Sequence, residues 1–242
     1  MTHKNYNILG FLFLAVAITM ILPFVSSCGK SGTLPASSNV QLQVLNLSTD
    51  IQPVDMYINS RKFNTTSFSY PNSSGYFTLT TIDTPFQFRS AQTTVSTVNL
   101  LSVDKVLSFN IKYSIFITGF KLNNTNNKLD YIFTTDTAAA PTAGRGKVRF
   151  VNATAGSNIF NITANGTTIF ANQDYKNVSP FVEVPAGNYD FKLYSTASTT
   201  TILSELNNVT VQDGKLYTLY CRGIVGRVDT AAFGMAMFNT KR

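Results

Sequence analysis

The sequence predicts an all-β protein: two tandem β-sandwich domains, immunoglobulin-like or transthyretin-like, behind a lipoprotein signal peptide. Three observations carry this. Apolar residues recur with the two-residue period of half-buried strands, in short runs broken by turn residues roughly every 8–12 positions. No stretch of about 12 residues joins helical spacing of apolar residues to capping residues at its ends. The chain also repeats itself: Asn46 precedes Asn59 by the same spacing as Asn152 precedes Asn165. Composition agrees. Charged residues are only 13% of the chain, against about a quarter in an average domain, while Asn, Thr and Ser are abundant. That is the composition of exposed β-surface rather than of salt-bridged helices. A length of 242 residues suffices for one large domain or two of ordinary size.

Residues 1–27 form the targeting segment and stand apart from the fold. Lys4, with His3, supplies a basic start, and residues 10–22 are a nearly unbroken apolar run. The run is short for a bilayer span, which needs roughly 20 residues. V-S-S-C at residues 25–28 resembles the bacterial lipobox. The resemblance implies cleavage before Cys28, a thioether lipid on Cys28 and acylation of the new amino terminus. Each buried methylene adds about 0.8 kcal/mol, so more than one acyl chain gives stable anchoring. The expected partner is therefore a membrane, reached through the lipid anchor, and the expected place is the bacterial outer membrane. Surface export of lipoproteins often uses acidic residues just after the Cys. Here the first acid is Asp50, and the periplasmic and cell-surface faces both stay open. Residues 28–39 are a flexible Gly/Ser/Pro tether.

The first repeat, residues 40–135, opens on V-Q-L-Q-V-L-N-L, which alternates at its start as a half-buried strand does. Val54, Met56 and Ile58 alternate next, and Asn59-Ser60 is a turn candidate. Y-F-T-L-T-T at 76–81 and F-Q-F-R at 86–89 are further β-rich runs. S-F-N-I-K-Y-S-I-F-I-T-G-F at 108–120 is the most apolar piece, hence a central strand ending near Gly119. N-N-T-N-N-K at 123–128 is a polar turn, and Tyr131 to Phe133 one last strand. Residues 136–146, small and bearing Pro and Gly, form the linker.

The second repeat, residues 147–242, is the cleaner copy. Val148 and Phe150 face one way, Arg149 and Val151 the other. Phe160, Ile162 and Ala164 lead into Asn165-Gly166, a strong hairpin signal because both residues tolerate positive φ. Ile169 and Phe170 begin the return strand. Val182 and Val184 lead into Pro185-Ala186-Gly187, which fits a type I turn. Tyr189, Phe191 and Leu193 form an inward stripe, and Asp213-Gly214 marks another turn. Tyr217, Leu219 and Cys221 keep the same period, so Cys221 is a buried, inert small hydrophobe. With Cys28 taken by lipid, no disulfide partner remains for it. F-G-M-A-M-F at 233–238 pairs as a closing strand.

The repeats stay in register along their length. Val54-Asp55-Met56 matches Phe160-Asn161-Ile162, Tyr113 matches Tyr217, and Gly119 matches Gly223, as a duplication requires. V-R-F-V-N-A-T, then N-G-T-T-I-F, S-P-F-V-E-V-P-A-G-N-Y and Q-D-G-K-L-Y-T-L resemble the family called domain of unknown function 4397. Its members are bacterial envelope proteins, often lipoproteins, often with tandem copies. The resemblance covers residues 148–223 closely and 40–120 loosely, since repeat one has Ile82-Asp83-Thr84-Pro85 in place of the P-A-G turn. It implies an all-β sandwich and brings no catalytic residues.

The residues themselves argue against catalysis. Cleavage removes the only His, and with it every triad or zinc site built on imidazole. The two Glu residues, Glu183 and Glu205, form no acid pair, and Glu183 sits on an outward strand face. There is no calcium loop and no phosphate loop. No cofactor and no metal is expected. The net charge of +7 is scattered singly, without the basic–aromatic blocks of a nucleic-acid surface, so no nucleic acid is expected. Asp136-Thr137-Ala138 and Asp229-Thr230-Ala231 resemble an O-glycosylation sequon of periplasmic systems, which makes Thr137 and Thr230 candidate modification sites. The sequence singles out no ligand-binding set, though Tyr70, Tyr76 and Tyr175 border polar loops and are the best candidates for exposed aromatic contacts. The function expected is a non-catalytic, lipid-anchored envelope protein with a structural, adhesion or binding role, its partner an envelope protein or a glycan. The alternative is a carbohydrate-binding accessory lipoprotein of a polysaccharide-uptake system.

Overall fold

The computed structural model describes residues 39–91, 98–122, 127–156, 159–198 and 200–240. The expected signal peptide, lipidation site Cys28 and tether, up to residue 38, lie outside them. The first repeat contributes β1 (Val40–Asn46), β2 (Val54–Ile58), β3 (Arg61–Lys62), β4 (Phe77–Leu79), β5 (Phe86–Ser90), β6 (Asn99–Val103), β7 (Lys112–Thr118) and β8 (Asp130–Thr135). The second contributes β9 (Arg145–Asn152), β10 (Phe160–Ala164), β11 (Thr167–Gln173), β12 (Val182–Pro185), β13 (Gly187–Ser195), β14 (Ile202–Val211), β15 (Leu216–Arg222) and β16 (Gly234–Thr240). No helix occurs among the described residues.

Both repeats arrange their strands alike. The sheets run β4-β1-β7-β8 and β3-β2-β5-β6 in the first, β12-β9-β15-β16 and β11-β10-β13-β14 in the second. The first and seventh strands of each repeat pair in parallel, Leu42 opposite Tyr113 and Val148 opposite Tyr217. An immunoglobulin sandwich joins its strands as ABED and CFG. The order seen here is different: the first and seventh strands lie side by side and parallel at the centre of one sheet, so the sandwiches do not have immunoglobulin topology.

Each sandwich has its own core. Val40, Leu42, Val44, Met56, Phe86, Phe88, Ile115 and Ile117 fill the first. Val148, Phe150, Phe160, Ile162, Phe191, Leu193, Leu219 and Cys221 fill the second. A third cluster joins them: Leu45, Phe116 and Ile132 pack on Val151, Ala153 and Tyr220. The sheet of β1 and β7 therefore lies against the sheet of β9 and β15, and the described residues form a stack of four sheets. This corrects the half-buried reading of β1, which is buried on both faces, Gln43 included. Gln43 is satisfied there by Ser114 Oγ at 2.7 Å.

Asp136 is not free linker. It is buried against the buried Arg149 of β9, and Ser114, Thr134 and Tyr76 donate to the same carboxylate. Arg149 is completed by Thr218 Oγ1 at 2.9 Å and the Thr135 carbonyl at 2.8 Å. Lys176 and Asp130, 2.7 Å apart, make a second ion pair between repeats. β9 begins at Arg145, two residues before the expected start at Lys147. Strands β3 and β6, which the period did not single out, complete the outer sheet of repeat one. Pro185-Ala186-Gly187 is a bend that passes the chain from one sheet to the other, Ala186 N–H donating to the Gly144 carbonyl.

The matched residues do matched work. Asn46 Nδ2 donates to the Phe68 carbonyl and Asn152 Nδ2 to the Gln173 carbonyl, while their Oδ1 atoms accept from Ser48 and Thr154 N–H. The hydroxyls of Tyr113 and Tyr217 each accept an N–H from five residues upstream, at 3.0 Å. Gly119 and Gly223 have φ of +89° and +81° as the chain leaves β7 and β15. A methyl group at either would overlap a carbonyl oxygen, of Lys128 or of Ala232.

Gly223→Ala is expected to lower the unfolding free energy by at least about 1–2 kcal/mol in urea titration. Gly214→Ala, at φ +72° but facing open space, is expected to cost less. Arg149→Met leaves the Asp136 carboxylate buried without its cation and is expected to cost about 3–5 kcal/mol in the same assay.

Candidate functional site

One recess of the described surface lies on the first sandwich. β2 turns at Asn59-Ser60 into β3, which ends after two residues. Phe63 N–H still reaches the Met56 carbonyl at 2.8 Å, and Phe68 then bonds Val54 in both directions. Between them N-T-T-S bulges away from the sheet edge. Counted from the matched turns, Asn64 falls where repeat two has Phe170, whose ring is buried in the second core. Asn64 cannot fill a core. Its Oδ1 instead accepts Met56 N–H at 2.7 Å, and its Nδ2 donates to Asp55 Oδ1 and to the Thr66 carbonyl, both at 2.9 Å.

The result is a cavity of about 580 Å³, within the usual range of roughly 300–1,000 Å³ for small-ligand sites. Phe68 and Phe77 form its apolar side, their rings stacked 6.3 Å apart, and Phe63 stands 5.2 Å from Phe77 with 41% of its surface exposed. The other lining residues are Asn, Ser and Thr, and none is titratable. Ser74 Oγ accepts Val44 N–H at 2.9 Å and Ser73 Oγ accepts Gly75 N–H at 3.2 Å, so these two belong to the frame. The side chains of Thr65, Thr66, Ser69 and Asn72 remain to offer hydroxyls and an amide.

Asp55 stiffens the frame from behind, paired with Lys62 at 2.8 Å. Burial alone would raise its carboxyl, but hydrogen bonds from Lys62, Ser67 and Asn64 hold it below the ordinary value. A folded carboxyl held low adds stability above its unfolded pKa, and that stability is lost only as acid takes pH through the lowered value. The frame is thus intact at neutral pH.

A second cavity, about 310 Å³, opens between the repeats beside Lys112, Asp136, Thr137, Leu216 and Thr240. Burial holds the Lys112 ammonium below its usual pKa, and the amine stands 5.3 Å from the Tyr76 ring. The Asp136 carboxylate here already holds Arg149, Tyr76, Ser114 and Thr134, and has little left for a ligand.

Of the residues singled out by sequence, Thr137 and Thr230 are both exposed. Thr137 Oγ1 accepts Lys112 N–H at 3.0 Å, and its neighbour Asp136 is locked in the interface. Thr230 sits beside Asp229, which pairs with Arg227 on the surface. None of the three tyrosines is an exposed platform. Tyr76 turns its hydroxyl into Asp136 at 2.7 Å, and Tyr175 turns toward Thr118 of the other repeat at 3.3 Å. Tyr70 is half-buried with its hydroxyl enclosed. Phe63, Phe68 and Phe77 were missed. The available signal was the broken apolar pair at Phe63-Asn64, where repeat two carries Ile169-Phe170. Among the described residues, no cluster of His, Cys, Asp and Glu could hold a metal ion.

A family model described as domain of unknown function (DUF4397) matches residues 40–159 and 147–239. The chain belongs to this family. Both copies fall within the family's reach, the first included, although its turn chemistry departs from the pattern. No curated protein matches the chain.

Cys221 is fully buried in the second core, its thiol donating to Asn152 Oδ1 at 3.1 Å, and burial pushes its pKa up to about 12. Thiol-labelling reagents at neutral pH are expected to leave Cys221 unmodified in the native protein and to react with it once the protein is unfolded in urea.

Proposed function

We propose that the protein is a non-catalytic binding protein of a bacterial outer membrane, lipid-anchored through Cys28, that takes an uncharged glycan into the recess of the first repeat. The lining of that recess carries the reading. A site with no titratable side chain offers nothing for acid–base chemistry or for activating a nucleophile. It does offer phenyl rings for the C–H face of a sugar, with hydroxyls and an amide for its OH groups. Neutral, hydroxyl-rich chains match this chemistry; anions and cations find no partner in it. A second reading, a structural subunit of an envelope complex, is favoured by the ion-paired four-sheet stack, which holds both repeats as one body.

Affinity electrophoresis of the full-length protein through neutral and acidic polysaccharides tests the proposal. Retardation is expected by a neutral polymer, unchanged across neutral pH. Phe63→Ala is expected to weaken it about tenfold or more, because this ring is the most exposed of the three that line the recess. Retardation that follows the polymer's charge, or that ignores Phe63→Ala, would overturn the glycan assignment.

A further inference from the structure

The end of the first sandwich at which the chain enters differs from the matching end of the second. Val40 pairs with Leu79, so the β4–β5 loop, residues 80–85, lies beside the point of entry. Gln41 pairs with Lys112, so the β6–β7 loop, residues 104–111, lies there too. Asn39, the last residue before β1, donates from Nδ2 to Asn110 Oδ1 of that loop at 3.3 Å. These two loops expose Ile82 by 81%, Val106 by 89% and Phe109 by 56%.

Single exposed apolar side chains are ordinary on a protein surface. Three on two adjoining loops, where polar residues were available, are a patch. Repeat two supplies the comparison. Its matching loops are Pro185-Ala186-Gly187 and Gln212-Asp213-Gly214-Lys215, and neither exposes a large apolar side chain. Arg61, brought to this end by the pairing of Ile58 with both Arg61 and Phe86, and Lys105 are exposed here, while the half-buried Asp83 carboxylate accepts Thr80 N–H of its own loop at 2.7 Å. Asp104 is the exposed acid of this end.

We propose that this end, through Ile82, Val106 and Phe109, rests on the lipid bilayer that holds the anchor. The inference depends on the lipid anchor at Cys28 proposed above. From Cys28 to Asn39 the tether spans at most about 40 Å when fully extended. The apolar loops are thus held close to the bilayer, at an effective concentration that lets a small patch bind. Insertion of apolar tips beside basic residues follows the rule for interfacial contact, apolar burial joined to attraction for anionic headgroups. The opposite end also exposes apolar tips, Leu122 and Val228, but lies at the far end of β1 from the tether.

The chain has no Trp, so a single introduced Trp is the only indole emitter. Full-length lipidated Val106→Trp and Val228→Trp are reconstituted into phosphatidylcholine–phosphatidylglycerol vesicles with and without brominated acyl chains. Emission of Val106→Trp is expected to shift to the blue and to lose most of its intensity with brominated lipid, while Val228→Trp does neither. Adding Ile82→Asp and Phe109→Asp to Val106→Trp is expected to abolish that quenching. Floating protein whose Val106→Trp emission is unquenched overturns the proposal alone, as does equal quenching of both reporters. Failure of the unmodified protein to float with the vesicles overturns the anchor, and this inference with it.

Discussion

Because the sheet of β1 and β7 packs on the sheet of β9 and β15, these four strands serve a core on one side and an interface on the other. Alternate residues of β7 show the double duty. Tyr113, Ile115 and Ile117 point into the first core, while Ser114, Phe116 and Thr118 meet the other repeat or the residues between. β15 does the same with Tyr217, Leu219 and Cys221 inward and Thr218 and Tyr220 outward. Almost nothing of either face of these four strands is left to water, so a polar group placed there needs a protein partner. Asp136 and Arg149 meet that need for each other, and the surrounding hydroxyls complete both. A charge pair of this kind is weak evidence for stability but fixes position, since either ion alone would be stranded.

That constraint decides what was legible in the chain. Turns and strand periods are local, and Asn59-Ser60, Asn165-Gly166, Gly119 and Gly223 all announce themselves within a few residues. The duplication was legible for the same reason. What faces the other repeat was not. Gln43, Ser114, Arg149 and Thr218 look like the wet side of a half-exposed strand, because a polar residue satisfied by a distant partner has the same letter as one satisfied by water. Gln43 and Ser114 are 71 residues apart, as far as a repeat half cannot reveal. Tyr76 and Tyr175 misled in the same way, bordering polar loops yet turning into the interface. Asp136 is the sharpest case: its small, Pro-bearing surroundings speak for a linker, and only Arg149 across the stack makes it a buried ion.

The recess was illegible for a different reason. Asn64 is a local choice with a remote consequence. In repeat two the same place holds Phe170, which closes the sandwich edge against Phe150, their rings 6.4 Å apart. An amide there cannot close the edge, so it bonds backward to Met56 and Asp55 and the next residues leave the sheet. Only the comparison of two copies, in one register, reveals the opening as a substitution rather than as an ordinary loop.

The two copies have kept one frame and changed its margins. The buried Asn46 and Asn152, the paired tyrosine hydroxyls and the two glycines at positive φ occupy matching places. The differences gather on repeat one, at the edge strand that opens and at the loops around Asn39. An interface that locks the repeats together lets one copy stabilise the other, since burial of Phe116 against Tyr220 and of Asp136 against Arg149 does not depend on the outer sheet edge. Repeat one can then lose a core phenyl ring and expose apolar loop tips without losing its place in the stack. On this argument the second repeat supplies rigidity, and the first carries the proposed contacts with ligand and membrane.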